Sequence, residues 1–250
     1  MLNVRKTYWS VRSAVRERKI SVTGALHRRI VFRRAMERLT EKSRPSIADL
    51  STTLPDLICG WGNEDWSAQE EFLVSCMQHA LTSDGPLLEC GSGLSTIVLG
   101  VIAQKTGNTV WSLEHNAAWA QRVARVLKRY SISSVHLDIN PLKDYGEFEW
   151  YNPDFDSMPH NFSTVICDGP PGDTKGGRYG LLPIMRSRLN AGTHILLDDS
   201  VRASERNVAA RWAEELNTEY TILGSKKPYI LLAIPGAGNN QESRIRSQVK

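Results

Sequence analysis

Short apolar runs alternate with segments of helical periodicity through most of the chain, and this pattern constrains the fold more than any other feature. The runs are 86–90 (PLLEC), 109–114 (TVWSLE), 134–139 (SVHLDI), 163–168 (STVICD) and 193–198 (THILLD). Between and after them, helical spacing covers 95–105, 117–129, 178–189 and 201–216, with a polar, aromatic insertion at 140–161. Runs of five or six apolar residues are too short for buried helices, and helices between them supply the crossovers that parallel strands need. The expectation is an α/β, doubly wound sheet. Its end is different, because 219–225 (EYTILGS) and 229–234 (YILLAI) are separated only by Lys226, Lys227 and Pro228. That gap is too short for a right-handed crossover, so the chain closes on an antiparallel hairpin and the sheet has seven strands.

The segments outside this pattern are distinct in composition. Residues 1–44 carry 13 Lys or Arg against Glu17, Glu37 and Glu41, while the rest of the chain is mildly acidic. Val4, Tyr8, Val11 and Val15, and then Leu26, Ile30, Met36 and Leu39, recur at helical spacing among the arginines, which predicts two basic amphipathic helices. Such an arm can lie on an anionic membrane, bind nucleic acid, act as an Arg-rich transit peptide, or dock its apolar stripe on the body. As an appendage it is expected to be dispensable for binding a cofactor. Residues 45–65 read as a loop-like linker, Ser67 with Glu70 as a capping box opening a helix to Leu81, 66–235 as the body, and 236–250 as a small, polar, disordered tail. Four cysteines without a C-x-x-C pair exclude a disulfide framework and a structural zinc, and fit a reducing cytoplasm. No run is long and apolar enough to span a bilayer.

In open parallel sheets ligands bind beyond the carboxyl ends of the strands. Those ends are unusually polar here. The first strand leads into Glu89-Cys90-Gly91-Ser92-Gly93-Leu94-Ser95, a tight glycine turn opening a helix whose free N–H groups can meet a ligand. The second ends at Glu114, where a carboxylate can accept both hydroxyls of a ribose. Together these point to a nucleoside-containing cofactor. Glu89, just before the glycines, would repel a pyrophosphate and suits a positively charged group instead.

At these residues the sequence resembles the class I S-adenosylmethionine-dependent methyltransferases, a Rossmann-like family whose seven-stranded sheet also ends in an antiparallel hairpin. The resemblance covers 66–234. It implies that Glu89, Gly91 and Gly93 hold the methionine part of the cofactor, with Ser95 where many members have Gly; that Glu114 holds the ribose, with His115 beside it; and that Asp138 lies by the adenine. It also places Asp168 and its Gly-Pro-Pro-Gly segment on the acceptor side, where Asp168 can act as base towards a hydroxyl. Asp168 with Asp198 and Asp199 resembles the divalent-metal site of metal-dependent O-methyltransferases, in which a hard cation such as Mg2+ binds acceptor oxygens. Equally, Asp199 or Ser200 can simply cap the following helix.

Trp61, Trp66, Trp150 and Tyr151 flank the acceptor side as a lid or as packing. The expected acceptor is an oxygen or nitrogen of a small molecule or saccharide. Nucleic acid is not expected, since no Asn-Pro-Pro-aromatic base clamp follows the fourth strand. Two other readings remain: an NAD(P)-dependent oxidoreductase, because Gly91-x-Gly93-x-x-Thr96 with Glu114 imitates the dinucleotide fingerprint, and a non-catalytic membrane- or RNA-associated module built on the arm.

Overall fold

The computed structural model describes residues 22–41, 46–62 and 69–236. The central strands are buried along their whole length, as parallel strands covered on both faces must be: β1 (Leu87–Cys90) and β2 (Val110–Glu114) expose nothing, and β6 (Phe162–Cys167) is buried except at Ser163. With β3 (Val135–Ile139), β7 (Leu189–Leu197), β8 (Tyr220–Leu223) and β9 (Tyr229–Ala233) they form one seven-stranded sheet in the order β3-β2-β1-β6-β7-β9-β8. β9 runs antiparallel to both β7 and β8, so the expected doubly wound sheet with a terminal hairpin is the observed one. The insertion at 140–161 holds a small antiparallel ribbon, β4 (Leu142–Asp144) and β5 (Glu149–Tyr151), which the sequence pattern missed. Trp150 and Tyr151 on β5 are fully buried packing residues rather than a lid.

Helices α4 (Leu94–Thr106) and α5 (Ala117–Arg129) follow β1 and β2 at the expected places. α4 is apolar nearly all round, with ten consecutive buried residues from Leu94 to Ala103, because a second helical layer covers it. That layer corrects the reading of 45–65 as a loop. Ile47–Trp61 is a helix, α2, opened by a reciprocal capping box in which Ser46 Oγ accepts the Asp49 N–H and Asp49 Oδ2 accepts the Ser46 N–H. Pro55 inside it disguised the helix. A missing N–H in a helix interior costs about 3 kcal/mol, but Leu50, Leu54, Leu57 and Trp61 are buried on one face, and each such side chain contributes about 1.5–3 kcal/mol.

α1 (Val22–Glu41) packs on α2, and the helices approach so closely that a Cβ on Gly60 would lie 2.6 Å from the Phe32 Cβ. Ala35, Met36 and Leu39 are buried in the same core as α2, α4 and α3 (Glu70–Thr82). The second half of the basic arm therefore docks its apolar stripe on the body. The first amphipathic stretch (Val4 to Val15), Ser67, Trp66 and 237–250 lie outside the described residues; α3 begins at Glu70 after Gln69, which makes no side-chain cap. No helix among the described residues is long and apolar enough to cross a membrane.

Two further boundaries shift. The helix expected over 178–189 is one short turn, α6 (Leu181–Met185), running into a 3-10 turn at Arg186–Arg188 before β7 opens at Leu189. Its expected first residue, Arg178, is instead drawn into the site described below. α7 (Ala203–Leu216) has Arg202 at its N-cap position, and neither Asp199 nor Ser200 caps it.

Burial of α1 predicts that Met36→Ala lowers the unfolding free energy by about 2–5 kcal/mol, the usual cost of emptying a buried Met site. Urea denaturation of the full chain measures this, and a loss below about 0.5 kcal/mol, typical of surface positions, would remove α1 from the core.

Candidate active site

The carboxyl ends of β1, β2 and β6 meet at one glycine. Gly91 has φ +89°, and a Cβ there would come within 2.8 Å of the Gly169 backbone N, so only glycine lets the turns after β1 and β6 lie against each other. The Gly169 and Asp168 N–H groups both donate to the Cys90 carbonyl, at 2.7 and 3.0 Å. Beyond this contact opens a cleft of about 550 Å3, lined by Gly91, Ser92, Glu114, His115 and Trp119 and by Asp168, Pro171, Arg178, Asp199, Arg202 and Lys227.

The sequence-derived residues divide around this cleft. Gly91, Glu114, His115, Asp168 and Asp199 line it. Glu89, Gly93, Ser95, Asp138 and Asp198 do not. Glu89 lies fully buried under the turn, where its Oε2 accepts 2.6 Å hydrogen bonds from Thr96 Oγ1 and Ser112 Oγ; Thr96 Oγ1 in turn accepts the Gly93 N–H at 2.8 Å. Glu89 thus shapes the glycine turn through Thr96, and its Oε1 has no protein partner. Ser95 is buried in the first turn of α4, adding a hydroxyl beside Glu89. Asp138 sits half-buried in β3, opposite Leu113, where burial raises its pKa.

Glu114 is held for display. Its Oε2 accepts the Ser92 N–H and Oγ–H at 3.0 and 2.8 Å, and its Oε1 accepts the Asn116 N–H at 2.8 Å and faces His115 Nδ1 at 3.1 Å. Trp119 fixes the same turn, donating its indole N–H to the Ser92 carbonyl at 2.7 Å. The Arg122 guanidinium lies 4.7 and 4.9 Å from the Trp61 and Trp119 rings and donates to the Trp61 carbonyl at 2.6 Å, which joins the end of α2 to the cleft wall.

The other end of the cleft is ionic. Oxygens of Asp168, Asp198 and Asp199 all lie within 4.8 Å of one another, as the resemblance to a three-carboxylate site implied. Their cationic company was not among the residues singled out above. Arg178, 2% exposed, donates to the carbonyls of Asp168 (2.6 Å) and Asp198 (2.9 Å), to Asp168 Oδ1 (3.2 Å) and to Asp199 Oδ2 (2.9 Å). Lys227 Nζ bridges Asp198 Oδ2 and Asp199 Oδ1 at 2.9 Å each, and Arg202 adds a 2.8 Å contact to Asp199 Oδ2. A signal existed for Lys227: the hairpin topology makes β8 run parallel to β7, so the turn after it must lie at the carboxyl edge of the sheet.

These neighbours set the proton affinities. Burial and the Asp198 charge push Asp168 up to about 8, with Arg178 opposing them. Burial also works to raise Asp199, but Arg178, Lys227 and Arg202 outweigh it and hold Asp199 below the ordinary carboxylate range. Lys227 is raised, because Asp198 and Asp199 overcome the effect of burial.

No family model matches the chain, and no curated protein matches it in sequence. Solved structures do resemble it. A methyltransferase of Podospora anserina with bound SAH aligns with TM-score 0.53 and 16% identity over 70% of this chain and 82% of that one. A putative caffeoyl-CoA O-methyltransferase of Staphylococcus aureus aligns with TM-score 0.53 and 13% identity over 77% and 93%. An O-methyltransferase of Streptomyces achromogenes involved in tomaymycin synthesis, in complex with SAM, gives 0.51 and 15% over 81% and 90%. The chain has the Rossmann-like methyltransferase fold. In that fold the glycine turn after β1, Glu114 and the β6–β7 edge described above fall along one cleft.

Burial pushes Glu89 up from 4.5 to about 7, against the opposing pull of the Ser112, Thr96 and Ser95 hydroxyls. Its protonated form therefore stabilises the fold fully below about pH 4.5, and this contribution is lost as pH rises to about 7. Glu89→Gln cannot ionise. In urea titrations the stability of the wild type should fall more than that of the Gln chain between acid and mildly alkaline pH, and parallel pH profiles would show that Glu89 ionises without cost.

Proposed function

We propose that this chain is an S-adenosylmethionine-dependent methyltransferase acting on an oxygen, or a nitrogen, of a small-molecule or carbohydrate-like acceptor. The observation that carries the reading is the joint placement of the glycine turn, a backbone-anchored Glu114 and Asp168 along one cleft. The residues fit the cofactor. Ser92 and Gly91 leave backbone room for the methionine chain, Glu114 stands where a ribose can be accepted, and the Tyr151 hydroxyl is a buried polar atom at the cleft without a protein partner. Asp138 receives no role, since it lies away from the cleft.

The cofactor supplies an electrophilic methyl group on a sulfonium. The chain's part is to hold the acceptor in line and to take its proton, and Asp168 is the base in this reading. A carboxylate whose pKa lies near 8 is a better proton acceptor than an ordinary one, and must be ionised to serve. The charged lining of the acceptor end favours a polar, hydroxylated acceptor over a flat apolar one. A divalent ion such as Mg2+ does not fit the three carboxylates as they stand: each has a Lys or Arg nitrogen within 3.2 Å, Arg178 bridging Asp168 to Asp199 and Lys227 bridging Asp198 to Asp199.

Calorimetry with S-adenosylmethionine, S-adenosylhomocysteine and NADH tests the assignment. Micromolar binding of the two methionine nucleosides is expected, and Glu114→Ala should weaken it by about 1.5–3 kcal/mol, the cost of losing hydrogen bonds to a charged group. Tight NADH binding with none for the nucleosides would reverse it in favour of an oxidoreductase.

Incubation with cell extract and methyl-labelled cofactor identifies the acceptor. With a hydroxyl acceptor, transfer should rise with pH through about 8 as Asp168 ionises, and Asp168→Asn should lose about 10²–10⁴-fold in rate while keeping cofactor affinity. Full activity of the Asn chain would defeat the base role.

A further inference from the structure

The acceptor end of the cleft contains a cation of its own. We propose that the Lys227 ammonium holds the position a divalent ion takes in a three-carboxylate centre, closes that centre to metal, and offers its remaining hydrogen to the acceptor's oxygen. The last clause rests on the methyltransferase reading, and the first two do not.

Three observations carry this. First, the ammonium is coordinated as a cation: two of its hydrogens go to Asp198 Oδ2 and Asp199 Oδ1, both at 2.9 Å, while Arg178 takes Asp168 Oδ1 and the other oxygen of Asp199. Any ion bound closely by Asp198 Oδ2 and Asp199 Oδ1 would sit against Nζ and would have to expel that positive charge, whereas Arg178, anchored by backbone carbonyls, engages only the far oxygen of Asp199 and leaves Asp198 Oδ1 and Oδ2 to the ammonium's side.

Second, Lys227 is held in place rather than free to leave. Its turn is clamped by Glu71 of α3, whose carboxylate accepts the Ser225 N–H (2.8 Å), the Ser225 Oγ–H (2.7 Å) and the Lys226 N–H (3.2 Å). On the other side the Ser200 N–H donates to the Pro228 carbonyl at 3.0 Å. A lysine fixed at both flanks of its turn spends little conformational freedom in keeping its head between the carboxylates.

Third, the ammonium is unfinished. Asp198 and Asp199 are its hydrogen-bond partners, which leaves one hydrogen, and the side chain lines the cleft with a quarter of its surface exposed. An ammonium hydrogen on a hydroxyl oxygen stabilises the negative charge that grows there as the proton passes to Asp168. In that step the oxygen lone pair forms the bond to the methyl carbon, the pair of the breaking carbon–sulfur bond returns to sulfur, and the hydroxyl proton ends on Asp168. Where a metal would grip two neighbouring oxygens, one hydrogen grips one.

Mn2+ is the probe, read by electron paramagnetic resonance on the full chain. The wild type should leave the free Mn2+ signal undiminished. Lys227→Ala frees Asp198 Oδ2 and Asp199 Oδ1 beside the already unpartnered Asp198 Oδ1, and should bind one Mn2+, which adding Asp198→Asn to the same chain abolishes. Lys227→Met, closer in volume, serves if the Ala chain is misfolded by circular dichroism. Uptake of Mn2+ by the wild type that Asp198→Asn removes overturns the proposal, as does a folded Lys227→Ala or Lys227→Met chain that takes up none.

In the extract assay, wild-type methyl transfer should persist in excess chelator and fall about 100-fold in Lys227→Met, the order expected on losing one donor to a developing charge. Transfer that chelation abolishes, or that Lys227→Met leaves intact, also overturns it. A chain that binds neither methionine nucleoside ends the methyltransferase reading and the acceptor clause with it, while the Mn2+ titrations still decide the rest.

Discussion

A single buried guanidinium organises the carboxyl edge of this sheet. Arg178 reaches the last carbonyl of β6 and the carbonyls of Asp168, Pro170 and Asp198, and it pairs with two carboxylates. The loops leaving β6 and β7 diverge here, and their carbonyls have no strand partner beyond the sheet. A planar fork with five donors can satisfy several of them at once, which a lysine could not. Burying that charge is costly unless it is fully paired, so Asp168 and Asp199 are structural necessities before they are chemical groups. The acidic cluster and the arginine have to be understood together.

The two ends of the cleft are built on different physics. At the glycine turn, shape comes from hydrogen bonds rather than ion pairs: the Gly93 N–H to Thr96, Thr96 and Ser112 to Glu89, and backbone N–H groups to Glu114. At the acceptor end, shape comes from ion pairs among seven charged side chains. The first arrangement is insensitive to salt and rigid. The second is directional only where its members are buried, as Arg178, Asp198 and Asp199 are, and its exposed member, Arg202, can follow a ligand.

Sequence reading succeeded where one local rule decided the outcome. Parallel strands buried on both faces are apolar throughout, so β1, β2 and β6 could be recognised without knowledge of their partners. A three-residue gap allows only a hairpin, and β8 and β9 followed from that. It failed where distant residues decide. α2 was hidden because Pro55 and a run of Ser and Thr imitate a loop, while the burial of Leu50, Leu54 and Leu57 that outweighs them exists only once α1 and α4 are in place. Arg178 read as the first residue of a helix, and Lys227 as a hairpin turn. Their partners lie 10 to 29 residues away in sequence, and only the strand order brings them together. The burial of Glu89 beneath the turn was likewise not legible, since four consecutive buried residues of β1 do not reveal which way a carboxylate faces.

The contacts among Trp61, Arg122 and Trp119 have a thermodynamic consequence that reaches outside the cleft. They connect the end of α2 to the Ser92 carbonyl with two hydrogen bonds and two ring contacts. Anything that binds the N-terminal helices and displaces Trp61 must also disturb the turn that borders the cleft. Linkage is reciprocal: were a ligand of those helices to displace Trp61, a cleft ligand that stiffens this turn would change that ligand's affinity by the same factor it suffers in return.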